Sequence, residues 1–100
     1  MNVISQRGLK KLAKAAHLDQ DTLVELMRWY HVARSASWNQ LSDVRMQFPS
    51  ADQVGRVLVF DVRGNRFRLI VRESFRLQKL YVKAVLTHKE YDRKEWKKWA

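Results

Sequence analysis

Residues Arg56 to Tyr91 read RVLVFDVRGNRFRLIVRESFRLQKLYVKAVLTHKEY, and this stretch decides the fold. Its hydrophobic period is two. Val57 to Val62 is a near-continuous apolar run suited to a central strand. Phe67, Leu69 and Val71 alternate with Arg66, Arg68, Ile70 and Arg72. Leu80, Val82, Ala84 and Leu86 alternate in the same way with Tyr81, Lys83, Val85 and Thr87. Successive strand side chains point to opposite faces, so the pattern predicts three strands of one sheet. Gly64-Asn65, between the first two runs, is a two-residue hairpin signal because both residues tolerate positive φ. The strands therefore form an antiparallel meander.

Upstream the period changes to that of a helix. Leu9, Leu12, Ala13 and Ala16 recur at i, i+3, i+4 and i+7, with Lys10, Lys11 and Lys14 on the opposite side. A second helix is predicted from Gln20 to Ser35, its buried face given by Leu23, Leu26, Met27 and Tyr30. Thr22 and Glu25 have capping-box spacing, and Asp19 or Asp21 offers an alternative cap. Val3 and Ile4 suit a short edge strand or an extended entry. Ser37 to Gln53 is less regular, and Phe48-Pro49-Ser50 stops any helix there, since the residue before proline is pushed out of the α region. A short C-terminal helix should carry Tyr91, Trp96 and Trp99. The expectation is one α+β domain over residues 1–100. Two N-terminal helices pack on one face of a small antiparallel sheet of three to four strands, and the other face stays partly open. Trp29 and Trp38 belong beneath the sheet, with Trp96 and Trp99 closing its edge.

Composition bounds the partner class. Lys and Arg number 20 against 10 Asp and Glu, a formal charge of +10 on 100 residues. A field of that sign attracts polyanions, nucleic acid first, then an acidic protein or a membrane surface. The second half holds 13 basic and 6 acidic residues, so most of the excess lies where the strands are. A hydrophobic content of 46% argues against disorder. With no cysteine, disulfides and thiolate metal sites are excluded. Three scattered histidines make a structural zinc site improbable, and neither a Gly-rich phosphate loop nor a hydrolase elbow is present. No cofactor is expected. No segment has signal-peptide character or the length to span a bilayer, so no membrane role and a cytoplasmic location are expected.

The alternation also selects candidate site residues. If Phe67, Leu69 and Val71 pack on the helices, Arg66, Arg68 and Arg72 project from the other face, joined by Tyr81 and Lys83. Strands lie about 4.8 Å apart, so Arg68 and Lys83 could both reach one phosphate. Aromatics among cations give bases a stacking surface. Thr87-His88-Lys89-Glu90 fits a capping box, with His88 and Lys89 in a first helical turn that favours an anion. Histidine is the side chain suited to proton transfer near neutrality, and Tyr91, one turn on, offers a phenolic proton. His17 and His31 lie in the helical half, away from this surface. Each candidate also has an ordinary reading, as an exposed strand charge, a structural histidine or a rim aromatic.

Gly64-Asn65-Arg66-Phe67-Arg68-Leu69-Ile70-Val71, Leu80-Tyr81-Val82-Lys83 and Leu86-Thr87-His88-Lys89-Glu90-Tyr91-Asp92 together resemble toxins of HigB type, messenger-RNA interferases of the RelE superfamily. The similarity extends upstream through Trp38, Asp43-Val44-Arg45 and Phe48-Pro49-Ser50-Ala51-Asp52, nearly the whole chain. The resemblance implies a RelE-like fold and ribosome-associated cleavage of mRNA without a metal, by attack of the ribose 2′-hydroxyl on the adjacent phosphate. It implies Arg68 and Lys83 as stabilisers of phosphate charge, and His88 and Tyr91 as the acid–base pair in either order. Asn65 would orient RNA from the hairpin, with Arg66, Arg72, Tyr81 and Lys89 as further RNA contacts. It also implies neutralisation by a HigA-type helix-turn-helix antitoxin, with operator DNA reached only through that partner. Lys83 stands where the family has arginine or lysine, so bidentate geometry is not assured there. A non-catalytic basic RNA- or DNA-binding module is the alternative from a different class, and a protein that docks an acidic partner is a third.

Overall fold

The computed structural model describes residues 1–5 and 8–100. Strand β1 (Asn2–Ser5) precedes three helices, α1 (Leu9–Ala15), α2 (Gln20–Ser35) and α3 (Leu41–Gln47). Strands β2 (Asp52–Val54), β3 (Val57–Val62), β4 (Phe67–Ser74) and β5 (Lys79–Thr87) follow, then α4 (His88–Asp92) and a 3₁₀ turn, Glu95–Trp99. The α+β class and the β3–β4–β5 meander are as the sequence predicts.

Several features differ from the expectation. The sheet has five strands in the order β1-β5-β4-β3-β2 and is mixed, since β1 runs parallel to β5. The fifth strand, β2, is three residues long and folds back on β3 through Gly55, whose φ is +56°. A Cβ on Gly55 would stand 3.1 Å from the backbone of Ala100, a tight approach added to the strain that a side chain meets at this φ. Helix α3 occupies the stretch read as irregular. With seven residues and Val44 its one buried side chain, it has too little periodicity to register.

The buried stripe of α2 is Thr22, Leu26, Trp29 and Ala33, rotated slightly from the expected face. Leu23, Met27 and Tyr30 pack at its margin. Asp19 is the N-cap, its Oδ1 accepting from the Thr22 amide at 2.8 Å, and the Thr22 side chain and amide together hold the carboxyl below its usual range. Glu25 does not close a capping box; its carboxylate accepts from the Arg63 amide at 2.9 Å, tying α2 to the β3–β4 turn.

That turn spans four residues. Val62 pairs with Phe67, the Arg66 amide donates to the Arg63 carbonyl at 3.2 Å, and Arg63 and Gly64 take the positive φ values, not Gly64 and Asn65.

The last difference changes the site. Ile70 pairs with Ala84 but Val71 pairs with Val82, leaving Lys83 as the extra residue of a β-bulge. Beyond Val82 the predicted alternation is therefore inverted. Val85 joins the helix-side core, while Ala84 and Leu86 face the opposite side.

The sheet is thus buried on two sides. Beneath α1–α3 lie Leu58, Phe60, Val62, Leu69, Val71, Leu80 and Val82, with Leu26, Trp29, Trp38 and Val44 above them. The other face, expected to be open, is closed at its centre by Trp96 on Val57, Val59 and Ile70. Trp96 lies on the face, where the sequence reading put it at the edge. Among the described residues no helix is long and apolar enough to cross a membrane.

Candidate active site

Antiparallel pairing brings directly opposite side chains onto one face. Arg68 of β4 stands between Asp61 of β3 and Leu86 of β5, at the end of the sheet where the β3–β4 turn lies. Its Nε lies 3.1 Å from Asp61 Oδ1, Nη2 donates to Asn65 Oδ1 at 3.3 Å, and Nη1 donates to the Phe67 carbonyl at 3.3 Å. The guanidinium carbon is 5.3 Å from the centre of the Tyr91 ring. Only 11% of the Arg68 side chain is exposed. A guanidinium held from four directions is fixed in place before any anion arrives.

Tyr91 is held just as firmly. Its ring stacks on Trp96 at 5.0 Å with planes 5° apart, and Trp96 Nε1 donates to the Tyr91 carbonyl at 2.9 Å. Burial raises the phenol above its ordinary value of 10.0; Arg68 opposes this, while Asp52, Asp61 and Asp92 add to it. The phenol therefore stays protonated at neutral pH and beside a cation, the state of a proton donor.

The predicted capping box at the start of α4 is present. Thr87 Oγ1 accepts from the Glu90 amide at 3.2 Å, and Glu90 Oε1 accepts from the Thr87 amide at 3.0 Å. It fixes His88 and Lys89 on the first turn. It also uses the Glu90 amide and puts a carboxylate at the end of α4 where an anion was expected, so α4 alone makes no phosphate cradle. His88 is exposed, with Nε2 3.5 Å from Asp92 Oδ2. As i and i+3 of one helix, His88 and Tyr91 share a side of α4.

The structure therefore brings Asn65 and Tyr91 each into contact with Arg68, with His88 on the same short helix as Tyr91. Arg66 and Lys89 are exposed nearby on the β3–β4 turn and on α4. It does not bring Lys83 to Arg68. The register sets Lys83 three positions from Leu86, the partner of Arg68, which is about 10 Å along a strand. The side chains also lean apart: Arg68 goes toward β3, whereas Lys83 Nζ lies 5.8 Å from the Tyr81 ring on the strand that meets β1. Arg72, opposite Tyr81, donates from Nη1 to the Trp99 carbonyl at 3.2 Å and so tethers the segment after α4.

Two partners escaped the sequence reading. Asp61 is the one charge within β3, opposite Arg68 in any register pairing Val62 with Phe67; a lone acid in an apolar run was the available signal. Trp96 as the platform of Tyr91 had no signal, because a 3₁₀ turn after a five-residue helix has no readable period. Among the described residues no three His, Asp or Glu side chains converge as a metal site.

Comparison with known proteins identifies the family. The HigB_toxin family, the RelE-like toxic component of a toxin-antitoxin system, matches residues 23–94. The mRNA interferase toxin HigB of Escherichia coli K12 is 32% identical over 95 residues, covering 92% of this chain and 88% of that protein. The mRNA interferase HigB of Escherichia coli O6:H1 is 28% identical over 96 residues, covering 93% and 90%. The meander, the THKEYD segment and the match over most of the chain together place this protein in the HigB family of RelE-like toxins from toxin-antitoxin systems.

Proposed function

We propose that this chain is an mRNA interferase, an endoribonuclease that cuts messages in the ribosomal decoding site until a HigA-type antitoxin neutralises it. Its relatives carry the name mRNA interferase, and the fixed Arg68–Tyr91 pair is the observation that carries the reading to this chain. The reaction is attack by a ribose 2′-oxygen on the adjacent phosphorus. His88 takes the 2′-hydroxyl proton, with Asp92 at 3.5 Å to balance the charge it gains. Arg68 donates to the non-bridging oxygens as negative charge builds on them, exchanging part of its hydrogen bonding with Asp61 and Asn65 for the phosphate. The phosphorus–O5′ bond breaks, and Tyr91 gives its phenolic proton to the leaving oxygen. The products are a 2′,3′-cyclic phosphate and a 5′-hydroxyl, with His88 and Tyr91 reset through solvent. No metal enters these steps. Asn65, Arg66 and Lys89 hold the strand on either side, and operator DNA is contacted only through the antitoxin.

The test is end-group mapping of RNA from cells making the chain, with purified protein and chelator as the in vitro arm. New 5′-hydroxyl ends within translated messages, lost in Arg68→Ala and His88→Gln at equal abundance, are expected. New 5′-phosphate ends, or a requirement for added metal, would overturn the mechanism. RNA bound but never cut would make the chain a binding module.

A further inference from the structure

We infer that the cavity where β1 ends is a stacking pocket for one base of single-stranded RNA, separate from the Arg68 cluster and able to set sequence preference; this rests on the RNA-cleaving role proposed above. The cavity holds about 360 Å³ and is lined by Ile4, Ser5, Leu12, Tyr81, Val82, Lys83 and Trp99. That volume is at the lower end of small-ligand sites, which span roughly 300–1,000 Å³. Its position follows from topology. Among the described residues β1 pairs with β5 from Asn2 with Lys79 to Ser5 with Val82, and the next residue of β5, Lys83, is the extra residue of the bulge. Leu12 of α1 closes one side and Trp99 the other.

The lining has the chemistry of a nucleobase site. Tyr81 and Trp99 are half-buried aromatic rings, each with an ammonium beside it: Lys83 at 5.8 Å and Lys98 at 4.8 Å. Trp99 is held there by the Arg72 hydrogen bond to its carbonyl. Ile4, Leu12 and Val82 supply apolar walls. Ser5 Oγ is buried without a hydrogen-bond partner among the described residues, leaving a hydroxyl for a base edge. Paired cation and ring is how single-stranded nucleic acid is held. An acidic peptide would use the lysines but leave the two rings without a planar partner. Tyr81 lies opposite Arg72, four residues along β4 from Arg68, about 13 Å away. A strand whose phosphate sits on Arg68 could run past Arg72 and place a neighbouring base in the cavity. The β5 bulge explains how a lysine reaches it, since bulges re-aim side chains.

The decisive measurement is binding of fluorescein-labelled 2′-O-methyl RNA octamers, uncleavable because the attacking hydroxyl is blocked, read by anisotropy across a set of sequences. Tyr81→Leu should weaken binding about tenfold or more, as loss of one stacked base does. Lys83→Gln should weaken it several-fold, and Ser5→Ala should narrow the differences between sequences. Should Tyr81→Leu fail to fold, Lys83→Gln and Ser5→Ala decide alone. Wild-type affinity and wild-type sequence ranking in the folded variants would overturn the pocket, as would absence of octamer binding by the wild-type chain. The two readings fail separately. Pocket variants that lose affinity when the wild-type chain makes no 5′-hydroxyl ends would leave the pocket standing and remove the cleavage. Unchanged binding by variants of a chain that does cleave would do the reverse.

Discussion

The sheet face under α1–α3 and the face under residues 88–100 are both dry at their centres, but they are closed by different means. On the helical side a sixteen-residue helix contributes Leu26, Trp29 and Ala33, and Phe60 meets Trp29, Trp38 and Phe48 at ring distances of 5.3, 6.2 and 5.3 Å. Among the described residues no buried side chain of that layer is charged, and the one ammonium that enters it, at Met1, donates to the Ala33 carbonyl at 3.1 Å. On the other side one tryptophan, Trp96, covers Val57, Val59 and Ile70, and cations stand at both ends of the patch: Arg68 beside Tyr91, Arg72 beneath Trp99. A largely buried guanidinium needs a partner charge and hydrogen bonds, which Asp61 and Asn65 supply to Arg68. The first face supplies the stability that lets the second hold functional groups in fixed positions.

That contrast can be broken by substitution. Phe60→Ala should cost about 3–5 kcal/mol of unfolding free energy, because three surrounding rings cannot collapse into the space it leaves. Urea denaturation should show the midpoint falling for the whole domain. Against a total of roughly 5–15 kcal/mol this is the largest single effect expected. Trp96→Ala is the matched change on the other face. The short segment can lift away and leave no cavity, so the global cost should be about 2 kcal/mol or less. Hydrogen exchange should speed up in α4 and the 3₁₀ turn with β3–β5 still protected, and RNA cleavage should fall sharply as Tyr91 loses its platform. Equal global costs for the two variants would erase the distinction between the faces.

The sequence carried much of the first face and less of the second. Alternation along Phe67 to Val71 correctly divided β4 into a helix side and an Arg68–Arg72 side, since a regular strand has only two choices. The same rule failed along β5, where a single inserted residue at Lys83 moved Val85 inward and Ala84 outward. A bulge is set by tertiary pairing and leaves no mark in the period. The THKEY segment was legible because a capping box is a local device, complete within four residues. The contact of Tyr91 with Arg68 was not legible, as it depends on how the chain turns back after α4. Asp61 as the partner of Arg68 needed only the hairpin register, which the four-residue turn obscured.

Thr87→Ala sharpens the second face at a smaller scale. Removing the cap that accepts the Glu90 amide should cost about 1 kcal/mol, typical of an N-cap threonine. With α4 only five residues long, the loss should appear as local fraying. Cleavage should drop more than thermal stability does, because His88 is positioned by that turn alone. Thr87→Ser, which keeps the hydroxyl, should restore it.

The smallest effect is an alkaline pH dependence that belongs to the second face. Tyr91 has a folded-state pKa raised above the ordinary 10.0, chiefly by burial, so folding favours its neutral form. The stabilisation is fully present below pH 10.0 and is lost as the pH rises through the higher folded value. The unfolded chain gives up this proton first, so stability must fall with alkalinity. Tyr91→Phe cannot ionise. The difference in unfolding free energy between the wild-type chain and Tyr91→Phe should therefore be flat through neutrality and shift against the wild-type chain only above about pH 10. A shift in favour of the wild-type chain, beginning below pH 10, would mean that the phenol ionises more readily in the fold than out of it. Such a group would be a poor proton donor at neutral pH, and the roles given to Tyr91 and His88 would have to be exchanged.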